Sequence, residues 1–274
     1  SESFLFSPPE PYNPSKKRIE FGELKIGPRA QEHLIEVCEN NWASYGPKCK
    51  EFEKKWGDLF GYNYNLATSS GTDAVIQACL SLYGVGVERQ SEIITPALSF
   101  IATANAIRAA DFTPVFCDIN RETLNIDPSK IEEKITDKTK AIMVVHTMGR
   151  PAEMDAIMEI AQKHNLVVIE DACESHGAKY KGNHIGSIGD ISCFSFYVAH
   201  LICCGEGGMV STRREDLYNT VFSTRCHGRS GFYFDHPLYG LNSKMNDLEA
   251  SLGLEAVDVF WKTFDKRHAY MKEM

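Results

Sequence analysis

No stretch of this sequence approaches the roughly 18 consecutive apolar residues that a bilayer-spanning helix needs, so no membrane association is expected. The opening SESFLFSPPEPYNPSKKRIE has no cationic segment followed by an apolar run. It therefore does not read as a signal peptide, and the expected compartment is the cytoplasm. An excess of positive charge is also missing: 29 Lys and Arg stand against 37 Asp and Glu, a formal net charge of −8. Such a balance argues against a nucleic-acid partner, whose phosphates need a basic face, but permits a local phosphate pocket of backbone N–H groups. The nine cysteines include no CxxC or CxCxC spacing. A zinc ribbon, a sequence-evident iron–sulfur cluster and a disulfide scaffold are accordingly not expected, and reduced buried thiols are. No metal site is expected.

What is present suits a sizeable core: 274 residues, 43% of them hydrophobic and 24% charged. Residues 1–20 carry four prolines and read as an extended arm. Helices are expected over Pro28–Asn40, Cys49–Phe60, Thr72–Tyr83, Phe100–Ala110, Pro128–Ile135, Glu153–His164 and, as one last helix, Asn246–Met274. Strands are expected at Tyr64–Thr68, Glu92–Thr95, Thr113–Cys117, Ala141–His146, Leu166–Glu170, Ile191–Tyr197 and Gly208–Thr212. Continuous apolar runs such as Leu166–Ile169 suit strands covered on both faces, and their alternation with helices predicts an α/β fold with a mainly parallel sheet. The chain divides into an N-terminal arm and helices (1–67), a large domain (68–245) and the start of a C-terminal segment (246–274).

Ligands of open α/β sheets sit beyond the carboxyl ends of the strands, and four segments bring suggestive residues to such ends. In Ser69–Asp73 a glycine between strand and helix permits a tight turn, and the helix offers free N–H groups to an anion. A serine or threonine there also serves simply as a helix cap. Val167–Gly177 ends an apolar strand on Asp171, a charge that is costly there unless a cation or several donors meet it. A helix-capping role would also account for that aspartate. The third segment is Cys193–Gly208, with His200 and the run Gly205-Glu206-Gly207-Gly208. The fourth is Tyr239–Ala250, with Asn242.

Together with Ala97–Ala104, these segments resemble the DegT/StrS-type family of nucleotide-sugar aminotransferases and dehydratases, from about Phe21 onward. The resemblance implies an aspartate-aminotransferase-like fold (fold type I of the pyridoxal-phosphate enzymes), with the small C-terminal domain absent or incomplete here. It implies pyridoxal 5′-phosphate or pyridoxamine 5′-phosphate as coenzyme. Gly71, Thr72 and Ser195 would hold its phosphate, Phe100 would stack on its ring and Asp171 would pair with its pyridine nitrogen. Glu174 would lie near its ring hydroxyl. Asn242 would reach the coenzyme phosphate of a neighbouring subunit, so a homodimer with shared sites is implied.

Counting back from Gly205, His200 occupies the position at which the family carries its Schiff-base lysine. Imidazole cannot form the covalent link that a lysine amine forms, and Lys179 and Lys181 lie in a turn that makes neither an attractive substitute. The family's histidine-bearing branch contains sugar 3-dehydratases. The resemblance therefore implies C3 deoxygenation of a nucleotide-linked 4-keto-6-deoxy sugar by the pyridoxamine form, with His200 as the proton carrier. Glutamate would regenerate the amine, and the scattered cysteines favour the branch without an iron–sulfur cluster. The alternatives are a nucleotide-sugar aminotransferase of the same family and a non-catalytic coenzyme-binding relative.

Overall fold

Seven short apolar strands form one sheet whose two faces are both covered, as their unbroken hydrophobic runs require. The computed structural model describes residues 22, 24, 26–231 and 234–273; the arm expected over 1–20 lies outside the described residues. In chain order the elements are α1 (Pro28–Glu39), α2 (Pro47–Phe60), β1 (Tyr64–Thr68), α3 (Gly71–Ser81), β2 (Glu92–Pro96), α4 (Ile101–Ala109) and β3 (Thr113–Cys117). They continue with β4 (Thr139–Val145), α5 (Met154–His164), β5 (Val167–Asp171), the hairpin β6 (Lys179–Tyr180) and β7 (Asn183–His184), and β8 (Ile191–Ser195). Last come β9 (Gly208–Thr212), α6 (Glu215–Thr224), α7 (Asp247–Asp258) and α8 (Phe260–Glu273).

The sheet order is β1-β9-β8-β5-β4-β2-β3. Strands β8, β5, β4, β2 and β3 run parallel to one another, while β9 is antiparallel to both β1 and β8. Consecutive side chains along each strand enter opposite cores. Ile94, Val144, Val168, Phe194 and Met209 pack with Phe52 and Trp56 of α2, Ile157 of α5 and Leu254 of α7. Ile93, Met143, Ile169, Cys193 and Val210 pack with α3, Ile107 of α4 and Val221 of α6. The outcome is the expected α/β fold with a mainly parallel sheet between helices.

Three expectations about elements change. The helix expected over Pro128–Ile135 is two 3-10 turns, Pro128–Lys130 and Glu132–Lys134, because Ile131 is the residue there that buries fully and no apolar stripe drives a longer helix. The single last helix breaks at Val259, where Phe260 turns into the core against Phe60. Helix α6 was not expected; its buried face is Leu217, Thr220, Val221 and Thr224, and the two threonines dilute the apolar period.

The carboxyl end of central strand β5 is held by a buried carboxylate. Glu170 is fully buried and accepts backbone N–H bonds from Gly186, Ile188 and Gly189. The Nδ1 of buried His146 accepts the Ala152 N–H at 3.1 Å, so its Nε2 carries the proton that is donated to Glu170 at 3.1 Å. Burial pushes the Glu170 carboxyl up, but the His146 contact and the backbone donors outweigh it and leave the pKa below the ordinary glutamate value. Its stabilisation is thus present above about pH 4.3, the unfolded value, and is lost as pH falls through the lower folded value. Glu170→Gln keeps the shape, removes the charge and turns one donor against backbone donors. It is expected to destabilise the fold by about 2–4 kcal/mol at neutral pH, with the gap to the parent narrowing in acid. Urea melts of both proteins at neutral and acidic pH measure this, and equal midpoints at neutral pH would contradict it.

Candidate active site

The chemistry-bearing residues gather where the turn before α3 meets the ends of β5 and β8. Ser70 caps α3 by accepting the Asp73 N–H at 3.0 Å. The N–H groups of Gly71 and Thr72 lie in the first turn of α3 and have no acceptor within the helix, so the helix start presents donors to the cleft. A Cβ at Gly71 would come within 2.4 Å of the Ser195 Cβ. This close approach brings the Ser195 hydroxyl beside the same donors. One residue beyond Glu170, Asp171 is buried; its Oδ2 accepts from the Thr103 hydroxyl at 2.9 Å and its Oδ1 from the Cys173 N–H at 3.3 Å.

His200 stands on a closed excursion from β8. The Phe196 N–H donates to the Gly207 carbonyl and the Phe196 carbonyl accepts from Cys204, both at 2.9 Å, so residues 197–203 leave the sheet and return to it. Gly207, at φ +130°, makes the return turn in a conformation that L side chains rarely adopt. The His200 N–H closes the tip on the Tyr197 carbonyl at 3.0 Å.

These parts line one cleft of about 840 Å³, within the size range of small-molecule sites. Gly71, Thr72, Phe100, Asp171, Glu174, Ser195 and His200 all face it. Asn242 does not; it is exposed elsewhere, its Oδ1 accepting from the Lys244 ammonium at 2.6 Å. Among the described residues that line the cleft there is no lysine. The two turn lysines lie apart from it, on the β6–β7 hairpin. Thr103, His176 and Arg267 also line the cleft, and sequence reasoning gave them no role. Thr103 was inside a recognised segment, but nothing in sequence spacing pairs it with a carboxylate 68 residues away.

A phosphorylated pyridine fits these features. The free N–H groups suit its phosphate, and buried Asp171 suits a ring cation. Phe100 keeps 75% of its surface exposed on the cleft, an apolar face suited to a flat ring. Burial holds the His200 imidazole below its ordinary pKa; the carboxylates of Glu174 and Asp171 pull it partly back up, and Arg267 pushes it down. Glu174 Oε2 is tied to the Met148 N–H at 2.6 Å, which fixes the carboxylate on the cleft wall. Among the described residues no three His, Cys, Asp or Glu side chains converge as metal ligands would. No described helix is long and apolar enough to cross a membrane.

Fold and cleft together define a class, the pyridoxal-phosphate enzymes of fold type I, and solved structures agree. An aminotransferase from Psychrobacter cryohalolentis superposes with a TM-score of 0.79 at 34% identity, covering 86% of this chain and 62% of that one. NtdA from Bacillus subtilis, solved with bound pyridoxamine phosphate, gives a TM-score of 0.76 at 37% identity over 84% of this chain and 52% of that one. In sequence, GDP-perosamine synthase of Caulobacter vibrioides is 37% identical over 245 residues, 88% of this chain and 65% of the relative. The chain spans about three-fifths to two-thirds of the length of the curated relatives it matches. The profile of the DegT/DnrJ/EryC1/StrS aminotransferase family matches residues 25–273, and the chain belongs to that family. Pyridoxal or pyridoxamine phosphate is its coenzyme. These findings favour amine transfer over the C3 dehydration expected from the sequence.

The electrostatics carry a test that needs no substrate. Glu174→Gln removes a negative charge that raises the His200 pKa, so the His200 midpoint should move further down. Following the His200 ring resonance through a pH titration of both proteins measures the shift; an unchanged or higher midpoint would rule out the Glu174–His200 interaction.

Proposed function

We propose that this chain carries the coenzyme domain of a nucleotide-sugar aminotransferase whose coenzyme is held without a covalent bond and whose protons are moved by His200. The observation that carries this reading is the loop tip: His200 faces the cleft, and no described lysine lines that cleft. Family membership and the name of the perosamine synthase relative support a sugar-linked keto substrate and amine transfer.

The bound coenzyme would supply an amine and an electron sink. The chain's own residues do the rest. Gly71 and Thr72 N–H groups and the Ser195 hydroxyl would hold the phosphate, and Phe100 would offer its face to the ring. Asp171, steadied by Thr103, keeps the pyridine nitrogen protonated. Glu174 would face the ring hydroxyl, and its charge raises the proton affinity of His200. The neutral His200 imidazole takes a proton at Nε2 or Nδ1 from carbon and returns it to the substrate. Glutamate would donate the amine and leave as 2-oxoglutarate. Residues 68–245 form the coenzyme domain in this reading, residues 1–67 its arm and flanking helices, and residues 246–274 the start of the C-terminal segment. Asn242, remote from its own cleft, would serve a partner's coenzyme in a homodimer.

A second reading, C3 dehydration of the same class of sugar, is favoured by His200 itself. An imidazolium can return its proton to a departing hydroxyl, and no lysine is at hand to promote transfer. Mass analysis after incubation with 4-keto-6-deoxy nucleotide sugars and glutamate decides between the two. Gain of nitrogen supports amine transfer. Loss of oxygen without nitrogen overturns it for dehydration, and an unchanged sugar with coenzyme bound leaves a non-catalytic relative.

Variants at three positions test the roles. His200→Asn should retain coenzyme and lose roughly two orders of magnitude in turnover, the scale of a positioned acid–base group. His200→Lys should form a covalent, borohydride-sensitive link with pyridoxal phosphate, visible as a new absorption band; absence of that band would mean that residue 200 is not at the lysine position. Asp171→Asn should fold yet lose most activity. Mixing Asn242→Ala with His200→Ala subunits should restore some sites, and verified subunit exchange without recovery would reject sharing.

A further inference from the structure

His176 is assigned no part in the reading above, yet its surroundings are specific. It is 3% exposed and its ring sits among Trp56, Phe194 and Phe196, with centroids 5.4, 6.1 and 5.8 Å away. Its fourth neighbour is the His200 ring, at 5.8 Å and tilted by 44°. The His176 Nδ1 accepts the N–H of Ile202 at 3.3 Å. Ile202 lies two residues beyond His200 in the same excursion and is itself fully buried.

We propose that His176 is a positioning residue for His200: its Nδ1 pins the returning limb of the loop at Ile202, and its ring backs the His200 imidazole on the cleft wall. The inference rests on His200 being the proton carrier. Because Nδ1 is an acceptor, the proton of His176 is on Nε2, which makes no well-formed hydrogen bond among the described residues. An imidazole whose buried Nε2–H makes no well-formed hydrogen bond is a poor choice for packing alone, where a phenyl ring would fill the space without that cost. Burial holds His176 neutral, with a pKa pushed down to about 3; the nearby charge of His200 acts in the same direction and a contact with the Ser195 backbone weakly against it. The flanking Trp56, Phe194 and Phe196 side chains do not titrate. His200 therefore meets a support that stays neutral, and the charge state of His176 does not alter as His200 gains and loses its proton.

The test separates hydrogen bonding from packing. His176→Asn puts an amide oxygen where Nδ1 was and keeps the acceptor for Ile202. His176→Phe keeps a ring and loses the acceptor. In the full chain, nitrogen-edited spectra should show His176 as the Nε2–H tautomer, without titration between about pH 5 and 8. His176→Phe should move the Ile202 amide and His200 ring signals and lower kcat by roughly tenfold to a hundredfold, with KM and coenzyme affinity near the parent's. His176→Asn should recover most of that loss. A titrating His176, or an Asn variant as impaired as the Phe variant, overturns the proposal. So does a Phe variant with parental kcat and an unmoved His200 signal while His200→Asn is impaired. Should His200→Asn itself keep full turnover, the reading of His200 as proton carrier fails instead. If His176→Phe does not fold, the tautomer and the Asn variant still decide.

Discussion

Everything at the cleft edge depends on how the end of β5 is fixed, and a single buried carboxylate fixes it. Glu170 ties three backbone N–H groups of the turn at 186–189 and the His146 ring to the last residues of the central strand. An unpaired charge there would be prohibitive; surrounded by donors it becomes a rigid joint. The Asp171 carbonyl in turn accepts the His146 N–H at 3.1 Å, so the two strand ends move together. Asp171 and Thr103 are thereby held in place before any ligand arrives, and pre-organisation of this kind lowers what binding must supply.

A second constraint is the charge of the cleft itself. Asp171, Glu174 and Glu206 face it, and Arg267 is the one lysine or arginine among its described lining residues. A cleft so poor in cations suits a phosphate held mainly by neutral donors, which the start of α3 and the Ser195 hydroxyl offer. The surplus of carboxylates suits a cationic ring and raises the proton affinity of His200 against its burial. Anion binding and acid–base tuning thus fall to different parts of the cleft, the start of α3 with Ser195 serving one and the end of β5 with the loop after β8 the other.

Much of this was legible in the sequence because burial on both faces leaves continuous apolar runs, and those at Val167–Ile169 and Ile142–Val145 became strands as expected. Seven of the eight expected site residues come to one cleft, since strand ends in a parallel sheet share an edge. What escaped depended on contacts between distant segments. The stripe of α6 is half threonine, the break at Val259 has no glycine or proline to mark it, and Glu170 looked like one more strand residue beside Asp171. His176 escaped for a different reason. A histidine in an apolar segment has the same appearance whether it fills space or holds a loop, and only its bond to Ile202 distinguishes the two.

In the proposed reading, an exchange of lysine for His200 redistributes work within this frame. A covalent anchor both retains the coenzyme and delivers a proton carrier; an imidazole does only the second. Retention would then fall to the donors of α3, the Asp171 charge and the exposed face of Phe100, all of which are present without it. The loop that carries His200 is correspondingly freed from a binding role and can be specialised for placing one ring. Its two ends are locked by the Phe196 backbone, its tip by the bond from His200 to Tyr197, and its return by His176. A histidine held this tightly, on a wall that stays neutral, would keep its proton-transfer geometry while the coenzyme came and went between turnovers.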